Sequence, residues 1–230
     1  MTGSRDRDVG QDGGMSRRDL LVVAHPHAEH TAADLVGGWY DSRLTDRGRA
    51  DAHRVAAELG RRLDHRPDPA RPVRVTTSDL ARAAETADVI GAALGVGAER
   101  DRRLREISFG AAEGRPNSWL AARRVHAPDD DRLDHRGPVP GAETRREVGD
   151  RVHACVTALM TDEVHDHVVV THGFAHTFVV TAWLRVPVEA AGFATFATSP
   201  GAITHLTHDD GWGNRTLVDL GATSHLAAAH

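Results

Sequence analysis

The chain has 230 residues, 40% of them hydrophobic, which is enough apolar material for one domain with a continuous core. Its net charge is -5, acids and bases are interspersed, and all 28 basic residues are arginine, so no basic face points to nucleic acid and no cationic run points to a membrane surface. One cysteine, Cys155, allows no internal disulfide, and no apolar run approaches the ~20 residues of a membrane span. These features imply a cytoplasmic protein whose partner is a small molecule, with no nucleic acid and no membrane.

Residues 1–17 are rich in glycine and charge and almost free of large apolar groups, so they cannot offset the entropy of ordering and read as a disordered tail. "LLVVA" at 20–24 is a continuous apolar run that predicts a buried strand. "TDRGRADAHRVAAELGRRL" (45–63) predicts an amphipathic helix, "VRVTTS" (73–78) a strand, and "LARAAETADVIGAAL" (80–94) a second helix. Residues 108–143 carry proline, glycine and charge with weak periodicity, and about 110–142 read as an inserted lid. A helix follows over 143–160, a strand over 166–173 and a helix over 174–185. "GAITHLTHDDGWGNRTLVDLG" (201–221) reads as two strands joined by a turn at Asp210 and Gly211, and 223–230 as a second tail. The alternation predicts an α/β three-layer sandwich over 18–222, with a central, mostly parallel sheet flanked by helices.

Ligands of such sheets gather outside the carboxyl ends of the strands. Two predicted strands end in histidine, in "VVAHP" and "VVVTHG", so His25 and His172 are expected to share one site. Five segments in order, "LLVVAHPHAEH", "GGWYDSRLTDRGRADA", "TTSDLARAAETA", "LREISFGAAEG" and "VVVTHG", resemble the histidine phosphatase superfamily, the group that includes cofactor-dependent phosphoglycerate mutases. The resemblance implies a metal-independent phosphohydrolase without a cofactor, acting on a small phosphorylated metabolite. It makes His25 the nucleophile that carries a phosphohistidine, Glu106 the general acid and base, His172 a donor to phosphoryl oxygens and Arg82 their clamp. Glu113, the nearby rival of Glu106, is then expected to hold the lid or cap a helix, and Glu143 to cap a helix.

The chain departs from the family signature at one place. Where the family has Arg-His-Gly, this sequence has Ala24, His25, Pro26, so one phosphate-binding arginine is missing. His27, His30, Arg43 and His176 are the candidates to replace it, with His27 and His30 first because they stand within one turn of His25. The same stretch also resembles the Ala-His-Pro-Asp-Asp-Glu signature of zinc-dependent N-deacetylases, in which His25 and His27 would share a metal with His30 or His172. Isomerase or lyase chemistry with His25 as a base, and a pseudoenzyme that only holds a phosphorylated ligand, are further alternatives. Trp183, Phe193 and Phe196 are candidates for a homodimer surface, and residues 115–142 for the substrate entrance. A charge-assisted hydrogen bond is worth about 1.5–3 kcal/mol. If His27 or His30 stands in for the arginine, Ala24→Arg should tighten inorganic phosphate binding by about 10-fold to 100-fold in a calorimetric titration; an unchanged affinity would mean that the cation is supplied elsewhere.

Overall fold

The protein was analysed as a computed structural model that describes residues 17–162 and 165–227. Residues 1–16, nearly all of the predicted amino-terminal tail, and 228–230 lie outside the described residues. The chain runs β1 (Arg17–Ala24), α1 (Glu29–Ala32), α2 (Asp46–Asp64), β2 (Val73–Thr77), α3 (Ala81–Leu94), β3 (Ala98–Arg100), α4 (Asn117–Ala121), α5 (Arg145–Met160), β4 (Asp166–Thr171), α6 (Gly173–Trp183), α7 (Val188–Ala191), β5 (Ile203–Asp209) and β6 (Arg215–Ala222). Six strands form one sheet in the order β3-β2-β4-β1-β5-β6. β3, β2, β4 and β1 are mutually parallel, and β5 pairs antiparallel with β1 and β6 with β5. The predicted α/β sandwich with a mostly parallel central sheet is therefore observed.

The two faces of β1 explain the three layers. Successive side chains of a strand point to opposite faces. Leu20 and Val22 pack with α5 and α6, through Val152, Val156, Phe178 and Val179. Leu21 and Val23 pack on the other side with α2 and α3, through Val55, Leu59, Ala83 and Ile90. A strand covered on both faces has no polar side, which is why its sequence is a continuous apolar run and not an alternating one.

The helix boundaries follow local chemistry. Thr45 accepts a hydrogen bond from the Gly48 N–H and starts α2, and Thr144 and Glu147 form a reciprocal capping box at the start of α5. Gly95, at φ 69°, ends α3 in the left-handed conformation. Glu143, expected as a helix cap, instead accepts two hydrogen bonds from Arg151 and one from the Ser108 N–H, and the cap falls to Thr144 beside it.

Two short pieces had no signal in the periodicity. β3 is three residues long, too short for a period of two to show. Ser224–Leu226, in the stretch read as a tail, forms a 3-10 turn whose Leu226 packs against the α2–α3 core. Cys155 is buried with its thiol 3.4 Å from Asp101 Oδ2, and burial pushes its pKa up to about 12, so it is an inert core residue. Trp183, expected at a dimer surface, is 2% exposed and belongs to the core, whereas Phe193 is exposed. Among the described residues no helix is long and apolar enough to cross a membrane.

Candidate active site

The site begins with the register of three parallel strands. Ala24 of β1 lies opposite Thr171 of β4, and Thr77 of β2 lies opposite Val170 of β4. The next residues along the first two strands are His25 and His172, so the pairing alone sets the two imidazoles side by side. The His25 N–H donates to Thr171 O at 3.0 Å, and the two ring centroids are 5.0 Å apart, edge to face. β2 leads through Ser78 into α3, whose second residue is Arg82. Its guanidinium Nε lies 3.1 Å from His25 Nε2. The three residues expected to converge do so.

His25 has a fixed tautomer. Its Nδ1 lies 2.7 Å from the Pro26 carbonyl oxygen, which can only accept, so Nδ1 carries the proton and Nε2 keeps its lone pair. Burial, and then the Arg82 charge, lower its pKa to about 3, so the ring is neutral at ordinary pH. His172 is fully buried and also held neutral, by burial and then by Arg82. Neither of its ring nitrogens has a hydrogen-bond partner among the described residues. A buried donor without a partner is costly, so the ring N–H of His172 is available to a water or a ligand beside His25.

Arg82 is 1% exposed. It is oriented by two backbone carbonyls, Tyr40 O at 2.9 Å and Gly38 O at 2.7 Å. Gly38 adopts φ 57°, a conformation that costs other residues energy, and this turn aims its carbonyl at the guanidinium. Burial lowers the Arg82 pKa to about 10, which still leaves it charged at neutral pH. The neighbouring carboxylates bind elsewhere: Asp79 forms a bidentate pair with Arg105, and Glu85 pairs with Arg43 and Arg49. Amides at the start of α3 are already used, with Ala81 N–H donating to Asp41 Oδ1 at 2.7 Å and Leu80 N–H to Ser78 Oγ.

Glu106 approaches from the segment after β3. Its carboxylate accepts from the N–H groups of Ile107, Phe174 and Ala175, the last two in the first turn of α6, immediately after His172. Burial raises its pKa and these N–H groups oppose the rise; the net shift is upward. Its backbone oxygen accepts from Trp39 Nε1 and from Arg151. Arg151, which the sequence did not single out, also binds the carbonyls of Arg103 and Arg105 and so fixes the loop that carries the acid. Nothing in the periodicity of α5 could reveal this role, because its partners lie 45 to 48 residues away. Glu113 holds neighbouring loops as expected, accepting from Trp39 N, Phe109 N and Ser108 Oγ.

The candidates for the missing cation separate clearly. His30 stands 6.2 Å from His25, ring to ring, with Nδ1 2.6 Å from Ser42 Oγ. Burial, then Arg82 and His27, lower its pKa to about 4. His27 turns toward the start of α2, with Nδ1 3.1 Å from Thr45 Oγ1. Arg43 is a correction: its side chain is 74% exposed and pairs with Glu85, because the loop before α2 directs it outward. His176 is buried one turn into α6, bonded to Thr204 Oγ1, away from the cluster. The four-ligand set of the zinc alternative is not assembled, and among the described residues no group of three or more histidine, cysteine, aspartate or glutamate side chains is placed to hold a metal ion.

The sequence matches the model of the histidine phosphatase superfamily (branch 1) over residues 20–220. The chain belongs to the histidine phosphatase superfamily. It is 30% identical over 183 residues to the glucosyl-3-phosphoglycerate phosphatase of Mycolicibacterium vanbaalenii, covering 76% of this chain and 78% of the relative. It is 32% identical over 176 residues to the probable phosphoglycerate mutase GpmB of Serratia proteamaculans, covering 74% and 77%. A mycobacterial glucosyl-3-phosphoglycerate phosphatase complexed with VO3 superposes with a TM-score of 0.72 at 26% identity, over 90% of this chain and all of that one. The relatives are thus phosphatases and mutases of this superfamily.

A cleft of about 740 Å3 adjoins the cluster, with Ile107 and Phe174, whose N–H groups bind Glu106, in its lining. Arg123, Arg124, Arg132, Arg136 and Arg145 line it, together with the "RRVH" and "DHRGPV" segments expected at the entrance. Arg145 stacks on Phe174 at 5.2 Å, and the Phe174 N–H binds Glu106. This places a guanidinium one side chain away from the carboxyl group.

The buried neutral imidazoles predict an acid-labile fold. His25, His30 and His176 have folded pKa values of about 3, 4 and 4 against an ordinary 6.5, and His172 is lowered as well. The unfolded chain then binds more protons below 6.5, so this contribution to stability is complete above that pH and is lost as the pH falls toward the folded values. Unfolding free energies from urea titrations should fall across that window, by up to about 1.4 kcal/mol per pH unit for each fully buried ring. A flat profile would mean that these rings are protonated in the folded protein.

Proposed function

We propose that the protein hydrolyses a small phosphomonoester through a phosphohistidine at His25, without a metal ion. The observation that carries the proposal is the Nδ1–H···O=C bond from His25 to Pro26, because it leaves the Nε2 lone pair on a neutral ring beside the buried guanidinium of Arg82. The lone pair attacks phosphorus in line, an N–P bond forms, and the ester oxygen leaves with the proton of Glu106. Glu106, now ionised, takes a proton from water as that water attacks phosphorus, and inorganic phosphate and free His25 are regenerated. Arg82 and one N–H of His172 bind the phosphoryl oxygens in both steps, and the low dielectric of the site strengthens these contacts.

His30 takes the place of the arginine absent at position 24. Its ring is neutral in the free protein, and a phosphate dianion beside it raises its pKa, so substrate binding takes up a proton. The arginine-lined cleft on the Glu106 side supports a leaving group that carries further negative charge, in keeping with the substrates named for the glucosyl-3-phosphoglycerate phosphatases. Residues 110–142 would close over it as a lid.

Two measurements test this. Turnover of p-nitrophenyl phosphate and glucosyl-3-phosphoglycerate should survive EDTA, and His25→Ala should lower kcat about a thousandfold or more; restoration by zinc, or full activity in His25→Ala, would overturn it. His30→Gln should raise KM about 10-fold to 100-fold and flatten the rise of KM with pH relative to the unaltered protein. An identical KM–pH profile in His30→Gln would remove His30 from the phosphate site.

A further inference from the structure

The opposite end of the sheet carries a second basic cleft that the proposed chemistry does not use. It has a volume of about 670 Å3, and the residues that define it are Arg18, Arg185, Arg215, His208, Asp210 and Thr157. Arg18 lies at the start of β1, His208 near the end of β5, Arg215 at the start of β6 and Arg185 just beyond α6. Seven residues of extended chain separate Arg18 from His25, so the cleft stands about 23 Å from the catalytic histidines. Three guanidiniums thus face one lining carboxylate.

Two of those guanidiniums are held rigidly. Arg18 is 8% exposed and binds Asp210 through Nε and one terminal nitrogen, with another on Met160 O. Arg215 stacks over Trp183 at 5.1 Å and uses a single terminal nitrogen on Trp183 O and Met160 Sδ. Its remaining donors are not engaged by these contacts. The like charges are felt: after burial, Arg185 and Arg18 are the causes that lower the Arg215 pKa.

Arg185 adds an independent observation. The end of α6 is a Schellman turn, with Val186 N–H donating to Thr181 O at 2.9 Å and Arg185 N–H to Ala182 O at 3.1 Å. Arg185 occupies the position of this turn that glycine normally takes, at φ 58°. A side chain there is strained, at a cost that glycine would avoid. A cation near a helix carboxyl end gains from the dipole. That gain does not require the residue to sit in the left-handed position, nor beside two further arginines.

We infer that this cleft binds a small multivalent anion, with phosphate or pyrophosphate groups as the matching chemistry, at a site separate from the catalytic one. Such a ligand relieves the repulsion among three cations and accepts from the donors of Arg215 and Arg185, while Thr157 offers a hydroxyl. β1 and α6 each have one end here and the other at the catalytic cluster, so the two sites share rigid elements.

The test uses the full chain with its catalytic centre first saturated with orthovanadate, followed by calorimetric titration with pyrophosphate. One equivalent should still bind, more weakly as salt is raised. Arg185→Gly, which suits the backbone conformation and should fold at least as well, is expected to weaken that equivalent tenfold or more while leaving kcat for p-nitrophenyl phosphate unchanged. Asp210→Asn, which removes the competing charge and keeps an acceptor for Arg18, should tighten it. Absence of binding in the unaltered protein, or equal affinity in Arg185→Gly, would overturn the inference without touching the phosphohistidine chemistry.

Discussion

The parallel pairing of β1 with β4, in the register that sets Ala24 opposite Thr171, is the constraint on which the site depends. Neighbouring strands lie under 5 Å apart, so a histidine following each must meet the other at van der Waals range. β2 on the far side of β4 completes the arrangement by delivering α3 and Arg82 at the same edge. The register cannot slip without cost. A shift of one residue would turn Leu20 and Val22 to the face where Leu21 and Val23 now pack, and both cores would be mismatched.

Packing three basic groups into one hollow has an electrostatic consequence. Burial first, and then the charge that the guanidinium keeps, holds the imidazoles neutral. In the proposed chemistry this divides the labour: Arg82 supplies fixed charge and donates to the Nε2 lone pair of His25, and His172 is a neutral donor whose nitrogens have no partner among the described residues. Glu106 sits at the amino end of α6 with its carboxylate bound by two amides of the same turn that follows His172. One helix start thus positions both Glu106 and His172, the acid and the phosphoryl donor of the proposed reaction, and Arg151 fixes the Glu106 loop from behind.

The substitution at position 24 changes this balance without emptying the site. Ala24 is buried and its N–H donates to Ala202 O, so the strand simply continues where an arginine would stand in other members of the superfamily. The nearby imidazole of His30, braced by Ser42, is neutral in the free protein. Under the proposed function, a permanent cation is thereby exchanged for one that an anion calls up. The arginine-lined cleft beyond Phe174 adds charge at a distance from phosphorus, where it can discriminate leaving groups rather than hold the reacting phosphate.

Much of the architecture was already legible in the residue pattern. Continuous apolar runs marked β1 and β4 because both faces of these strands are covered, and the 3.6-residue period marked α2, α3 and α5 because each has one apolar face, whereas α6 is buried all round. His25, Glu106, His172 and Arg82 could be singled out from local motifs, since each stands at the end of an element or in a short signature. Partnerships across the chain had no such trace. The role of Arg151, the outward turn of Arg43, the choice of His30 over His27, and the capture of the α3 amides by Asp41 all depend on which loops meet in space. Local sequence therefore determined the elements and the reactive groups at their ends, because hydrophobic period and backbone preference are short-range. Only the tertiary structure decided which of those groups share a low-dielectric pocket, because burial and proximity, which set charge state and partner, are properties of the packed chain.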